Sequence, residues 1–297
     1  MDQDSQRLAV AKEDLARALS DVLGLPVLAI EVSALGASSR GTPWRVELRT
    51  SIGHRTVLVR LGASCSSNEV IALEAMKSHP LPTPEVLYWE PEGIKLGKPF
   101  FVSTFIEGAS LLNAMKTNEP WADALYISTA CALQSIKRED LPPDCVDQME
   151  GSKSALEVLE RAYRMFEKPN RLADAAYQRL KATQPEFPVD HFSNGDLWPD
   201  NLLVQGKRLV GIIDWQHADF GDPIYEFLLP FFLVPEIRGR GTEQIYCQEM
   251  GFDPVALNWY HGLEFFDSLS MVLKLGRPYG IHTAASLRRD LQQWLKS

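Results

Sequence analysis

The sequence predicts an α+β chain with a small antiparallel-sheet lobe over residues 1–108 and a larger, mainly helical lobe over residues 109–297. Three observations predict it. Trp44, Val46 and Leu48 alternate with charged residues, and Val57, Val59 and Leu61 repeat the pattern, which is the period of half-buried strands. Beyond Gly108 the apolar positions fall mostly at helical spacing. A length of 297 residues suits two lobes or one large domain.

In chain order, Leu8, Leu15, Leu19 and Val22 predict an amphipathic helix over 4–23, capped by Asp4 or Ser5 and ended by Gly24. The segment 35–43, LGASSRGTP, is small and polar and reads as a loop. The two alternating runs that follow form a hairpin about a turn at 51–54. Val70, Leu73 and Met76 predict a helix over 68–77, stopped by Pro80, Pro82 and Pro84. Strands are expected at 85–89 and 99–106, then helices at 121–136 and 153–181. A strand-like island at 202–214 interrupts the helices, which resume over 243–295 with breaks at Gly251 and 276–280.

Composition excludes several classes. Hydrophobic residues make up 45% and charged residues 23%, ordinary for a globular chain with a sizeable core. A formal charge of -9 argues against a nucleic-acid binder. It serves solubility, and it is compatible with a cationic substrate. Cys65, Cys131, Cys145 and Cys247 lie far apart with no C-x-x-C pair, so neither a disulfide framework nor a zinc site is expected, and the reducing cytoplasm is the natural compartment. The polar start MDQDSQRL does not read as a secretory signal, and Glu226 and Pro230 break the most apolar run, so no membrane partner is expected.

The chemistry concentrates in SNGDLWPDNLLVQGKRLVGIIDW, residues 193–215. A short strand at 202–204, a turn at 205–207 and a returning strand at 208–213 make a tight hairpin. Its entry at Asn201 and its exit at Asp214 are thereby expected to approach each other. Asp196 sits five residues before Asn201 on a loop broken by Gly195 and Pro199. Two carboxylates and an amide oxygen suit magnesium, which takes one or two protein carboxylates and completes its shell with phosphates and water. A remaining carboxylate is then available to work on a hydroxyl, the set of parts that phosphoryl transfer requires.

This stretch resembles the catalytic loop of the aminoglycoside-phosphotransferase and choline-kinase-like small-molecule kinases, relatives of protein kinases. Asn194-Gly195-Asp196, then Asn201, then Ile213-Asp214-Trp215 stand where that family has H-G-D-x-x-x-x-N and I-D-W. The resemblance implies a protein-kinase-like two-lobed fold, Asp196 as catalytic base, and Asn201 and Asp214 as magnesium ligands. GDPIYEF (221–227) resembles the family segment that buttresses the loop, with Glu226 where aspartate is usual. PTPEVLYWE (82–90) and LGKPFFVSTFIEG (96–108) resemble the strand pair and linker that hold adenine, implying the Thr104 carbonyl and the Ile106 amide as its partners. Glu69 resembles the helix glutamate that pairs with a phosphate-binding cation, here Arg60 in place of the usual lysine. LGASSRG (35–41) occupies the place of the phosphate-covering loop, implying Ser38 and Ser39 as phosphate contacts, although it does not meet G-x-G-x-x-G. Residues 257–275 resemble the C-terminal helices that wall the substrate pocket, and the likeness spans 30 to 275.

The implied activity is transfer of the γ-phosphoryl group of ATP or GTP, with Mg2+, to a hydroxyl of a small molecule, an aminoglycoside-like antibiotic or a metabolite. A kinase-like protein with impaired catalysis that binds nucleotide or a partner is the alternative, motivated by Arg60 and by Asn194 in place of histidine. A protein kinase is disfavoured, because Gly221 follows Asp214 by only seven positions and leaves little room for an activation loop. Histidines 54, 79, 191, 217, 261 and 282 show no ligand spacing, and Trp198 is expected to pack under the loop. Glu264 and Asp267 lie three apart on one expected helix, where carboxylates are more often solvated than gathered with Asp219 into an acidic pocket. The acceptor, the choice of nucleotide and the oligomeric state are open at this level.

Overall fold

A computed structural model describes residues 8, 10–35, 42–149, 154–186 and 190–297. Among these the chain divides into two compact units. The first comprises Met1–Ala109, Leu141–Met149 and Leu203–Ala218, and the second Ser110–Asp140, Glu150–Leu202 and Asp219–Ser297.

The first unit is built on a five-stranded antiparallel sheet. Helix α1 (Lys12–Leu23) precedes strands β1 (Val27–Ala34), β2 (Trp44–Thr50) and β3 (Gly53–Leu61), helix α2 (Ser67–Met76), and strands β4 (Val86–Glu90) and β5 (Phe100–Thr104). The strand order is β1-β2-β3-β5-β4. Val46 and Leu48 of β2, Val57 and Val59 of β3, and Phe100 and Val102 of β5 share one face, which Leu15 and Leu19 of α1 cover. The period of two places those side chains together, and their burial is the main stabilising term of this unit.

Two expectations need correction here. The first helix starts at Lys12, since Ala11 is extended (φ -65°, ψ 144°), and the proposed caps Asp4 and Ser5 lie outside the described residues. Its end at Gly24 is as expected, with a left-handed φ of 61° that glycine adopts without penalty. Strand β1 was not expected, because an edge strand with mostly part-exposed positions carries weak alternation.

Helices α3 (Leu111–Lys116), α4 (Ala122–Gln134), α6 (Ala155–Met165), α7 (Arg171–Ala182), α8 (Pro223–Leu233), α9 (Thr242–Met250), α10 (Ala256–Leu275) and α11 (Ala284–Trp294) make up most of the second unit, while the short α5 (Pro143–Val146) belongs to the first. The helix expected over 153–181 is two helices. Pro169 supplies no amide hydrogen, and the Asn170 side chain caps the new start by accepting from the Ala173 amide at 3.1 Å. Short strands β7 (His191–Ser193) and β10 (Asp219–Gly221) pair antiparallel. Strands β6 (Ala109–Ser110), β8 (Leu202–Gln205) and β9 (Arg208–Ile212) form a three-stranded sheet in the order β6-β8-β9. The turn between β8 and β9 carries Gly206 at φ 62°.

The core of the second unit is aromatic. Phe227 of α8 stacks on Tyr126 of α4 at 4.7 Å and on Tyr246 of α9 at 3.7 Å. Tyr260, Leu263 and Phe266 bury one side of α10, and Trp294 of α11 reaches the Asn258 carbonyl through Nε1 at 2.8 Å. No helix among the described residues is long and apolar enough to cross a membrane.

The contact of α10 with α11 is checkable. A Cβ on Gly262 would lie 2.3 Å from the Trp294 ring. Overpacking of this kind costs about 1–3 kcal/mol, which exceeds the ~1 kcal/mol that alanine gains over glycine in a helix. Gly262→Ala should therefore lower the midpoint of urea unfolding, with the m-value unchanged.

Candidate active site

In the second unit, strands β7 and β10 frame the loop 194–201, with Ser193 opposite Asp219. Gly195 turns the chain at φ 72° and presents Asp196. The main-chain carbonyl of Asp196 gathers three donors: the Trp198 amide at 2.6 Å, Asn201 Nδ2 at 3.0 Å and Asn194 Nδ2 at 3.2 Å. Asn201 Nδ2 also donates to the Asp196 carboxylate at 2.9 Å. That amide therefore fixes both the backbone and the side chain of Asp196. Its Nδ2 is committed to the loop, which leaves Oδ1 as the oxygen available to a cation.

The next residue is held from both sides. The Leu197 amide donates to Glu226 Oε1 at 2.8 Å, and the Leu197 carbonyl accepts from the Tyr126 hydroxyl at 2.8 Å. Tyr126 is buried and Glu226 half-buried, and they satisfy backbone groups for which a loop has no ladder. Glu226 was expected as a buttress. Tyr126 was not, since a tyrosine at helical spacing reads as core. Leu197 is buried, whereas Trp198, expected to pack under the loop, is half-buried.

Burial also shifts the acids that support the loop. It pushes the Glu226 carboxyl up to about 7, against hydrogen bonds from Ser193 and the Leu197 amide. It pushes Asp222 up to about 6, against bonds from the Tyr260 hydroxyl and the first amides of α8, which Asp222 caps. Both groups bind protons more tightly folded than unfolded. Their stabilisation is complete below the ordinary carboxylate range and is lost as pH rises through 6 to 7. Glu226→Gln keeps an acceptor for the Leu197 amide and removes the titration. Unfolding free energy followed by urea should fall between pH 4.5 and 7 in the wild type, and less steeply in this variant.

The first unit carries a second cluster. Arg60 of β3 meets Glu69 of α2 in a two-point pair, Nε to Oε2 at 3.1 Å and Nη2 to Oε1 at 3.3 Å. Both side chains are nearly buried, at 11% and 5% exposed, so each needs the other's charge. Arg60 Nη2 lies 4.0 Å from Asp214 Oδ1. Burial raises the Glu69 carboxyl to about 7, with Arg60 opposing the rise and Asp214 adding to it. Ser66 caps α2 by accepting from the Glu69 amide at 3.4 Å, which fixes Glu69 in the first turn.

Asp214 follows β9 with a left-handed φ of 61°, a conformation that costs a non-glycine residue roughly 1–2 kcal/mol. The packing around it over-determines this backbone. Trp215 is fully buried and donates Nε1 to the Ile212 carbonyl at 2.7 Å. Asn68 of α2 donates Nδ2 to the carbonyls of Gln216 at 3.2 Å and Ala218 at 2.9 Å. Nothing in the sequence singled out Asn68, whose role depends on residues some 150 positions away.

Thr104 closes β5, its amide bonded to the Glu85 carbonyl and its hydroxyl accepting from the Glu85 amide at 2.8 Å. Ile106 stands beyond the ladder and packs on Gly211, where a Cβ would come within 2.8 Å of it. Ser38 and Ser39 lie outside the described residues. Of Glu264 and Asp267, expected as solvated helix carboxylates, Glu264 is instead buried at 2% exposed, and Asp267 is half-buried and paired with Arg161. Asn201 Oδ1 and the Asp214 carboxylate are hard oxygen donors of the kind magnesium accepts. No group of three or more His, Cys, Asp and Glu side chains forms a metal cage among the described residues.

A family model, the phosphotransferase enzyme family, matches residues 47–260, and the chain belongs to this family. No curated protein matches the sequence. Among solved structures, a protein of Ralstonia eutropha JMP134 assigned as an aminoglycoside phosphotransferase is 14% identical, with 97% of this chain and 96% of that one covered and a TM-score of 0.70. A thermostable mutant of the aminoglycoside phosphotransferase APH(4)-Ia, in a ternary complex with ADP and hygromycin B, is 18% identical over 95% and 98% at 0.65. The spectinomycin phosphotransferase APH(9)-Ia, in complex with ADP and spectinomycin, is 12% identical over 96% and 95% at 0.57. At these identities the likeness concerns the fold, an antiparallel sheet in the N-terminal region and helices in the C-terminal region.

Proposed function

We propose that the protein transfers the γ-phosphoryl group of ATP or GTP to a hydroxyl of a small molecule. The observation that carries this reading is the fixation of Asp196: one amide, Asn201 Nδ2, holds its carboxylate at 2.9 Å and its carbonyl at 3.0 Å. A carboxylate placed so firmly suits the orientation of an acceptor hydroxyl and the acceptance of its proton. The acceptor oxygen then bonds to the γ-phosphorus as the bond to the bridging oxygen of the nucleoside diphosphate breaks, and the hydroxyl proton passes to Asp196. Arg60, held by Glu69, takes the phosphate-side charge. Thr104 and Ile106 take the adenine edge, with Ser38 and Ser39 at the phosphates. Magnesium, with Asn201 and Asp214 as its protein ligands, supplies charge neutralisation on the phosphates when bound.

The alternative, a kinase-like protein with impaired catalysis, rested on Arg60 and Asn194. Both keep a partner suited to the active role: Arg60 pairs with Glu69, and Asn194 donates to the Asp196 carbonyl. The four cysteines are free thiols, which suits a reducing cytoplasm.

A nucleotide-consumption screen over hydroxyl-bearing metabolites and antibiotics, with and without magnesium, tests the reading. Asp196→Ala should abolish turnover and leave magnesium–nucleotide affinity within about tenfold, roughly 1.4 kcal/mol. Full residual turnover in this variant removes Asp196 from its role. Nucleotide binding with no turnover for any acceptor favours the impaired protein.

A further inference from the structure

Strand β1 forms one edge of the five-stranded sheet, and among the described residues it pairs only with β2. The direction of its remaining hydrogen-bonding groups follows from one bond. The Leu35 amide donates to the Pro43 carbonyl at 2.9 Å, so Leu35 turns its main-chain groups toward β2. Antiparallel pairing alternates at every residue. Ser33 and Glu31 therefore face β2 as well, and the amides and carbonyls of Ile30, Val32 and Ala34 point outward.

Sheet edges are normally blunted by short length, proline, lysine or a bulge. The opposite edge, β4, has five residues, a register shift between Val86 and Tyr88, and Pro80, Pro82 and Pro84 shortly before it. Strand β1 has eight residues, VLAIEVSA, with no proline or lysine and a single charge at Glu31. Its one irregularity lies between Val27 and Ala29, before the residues that point outward. Ile30, Val32 and Ala34 lie beside Leu48, Val46 and Trp44, and they pack against the core while only half-buried. The apolar core of this unit thus runs out to solvent along β1.

We infer that β1 is a self-association surface, and that its occupant is β1 of a second copy of this chain, antiparallel about a two-fold axis at Val32. In that register the strand is complementary to itself. Val32 exchanges two main-chain bonds with Val32 of the second copy. On the core face Ile30 pairs with Ala34 of the second copy, large against small, and extends the apolar row. On the other face Glu31 lies opposite Ser33 of the second copy, whose hydroxyl donates to it, and Ala29 lies opposite Leu35. A register centred on Glu31 sets two carboxylates directly opposite each other, which is unfavourable. The pairing uses up both β1 edges, so it closes at a dimer.

Sedimentation of the full chain over about a hundredfold range of concentration should show a monomer–dimer equilibrium. Ser33→Glu places a carboxylate opposite Glu31 of the second copy and beside Arg45 of its own sheet. This exposed substitution should raise the dimer Kd about tenfold, and adding Glu31→Lys should restore it. Ile94→Glu, the same charge change at an exposed site elsewhere in the unit, should leave Kd unchanged. Amide hydrogen exchange supplies a readout independent of substitution. The Ile30, Val32 and Ala34 amides should exchange slowly in the dimer and rapidly in the monomer, and the Glu31 and Ser33 amides slowly in both. A chain that stays monomeric overturns the inference, as does a dimer indifferent to Ser33→Glu or not restored by Glu31→Lys. An equal effect of Ile94→Glu, or slow exchange of the three outward amides already in the monomer, overturns it too.

Discussion

The organisation of the second unit turns on one main-chain carbonyl. Three donors converge on the Asp196 oxygen, two of them side-chain amides from within the same loop. A loop has no ladder to satisfy its backbone, so its shape persists where side chains take over that task. Asn194 and Asn201 do so locally, and Glu226 and Tyr126 do so from α8 and α4 at the following residue. The stacked rings of Tyr126, Phe227 and Tyr246 bring those helices to that point. The position of one carboxylate thereby becomes a consequence of aromatic packing well behind it.

In the first unit a charge pair does comparable work. Arg60 and Glu69 are nearly buried, and a buried charge is tolerated where its partner is fixed and well aimed. The pair itself ties α2 to β3, and the amide of Asn68 ties α2 to the segment after Asp214. An arginine at this position can engage through two donors where a lysine offers a point charge. The two-point contact with Glu69 uses that geometry.

Helix α10 illustrates how one element supports opposite chemistries. Glu264 and Asp267 are nearly a turn apart and share a side of the helix. Asp267 is closed because α6 delivers Arg161 to it, and Glu264 has no such partner. Their difference lies in what packs against the helix, and no property of the helix itself distinguishes them.

Local signals made much of this protein legible from its residues alone. Alternation marked β2 and β3, and proline and glycine placed the ends of α1 and α2. The spacing of Asp196, Asn201 and Asp214, with the turn at Gly206, marked the segment proposed to carry the chemistry. Each of these rests on neighbours within a few positions, where backbone preference and side-chain period act directly. Tyr126, Asn68 and the split fate of Glu264 and Asp267 were decided by tertiary structure. They depend on partners 71, 150 and 106 positions away, and no local pattern encodes a contact between segments that meet only when the chain has packed.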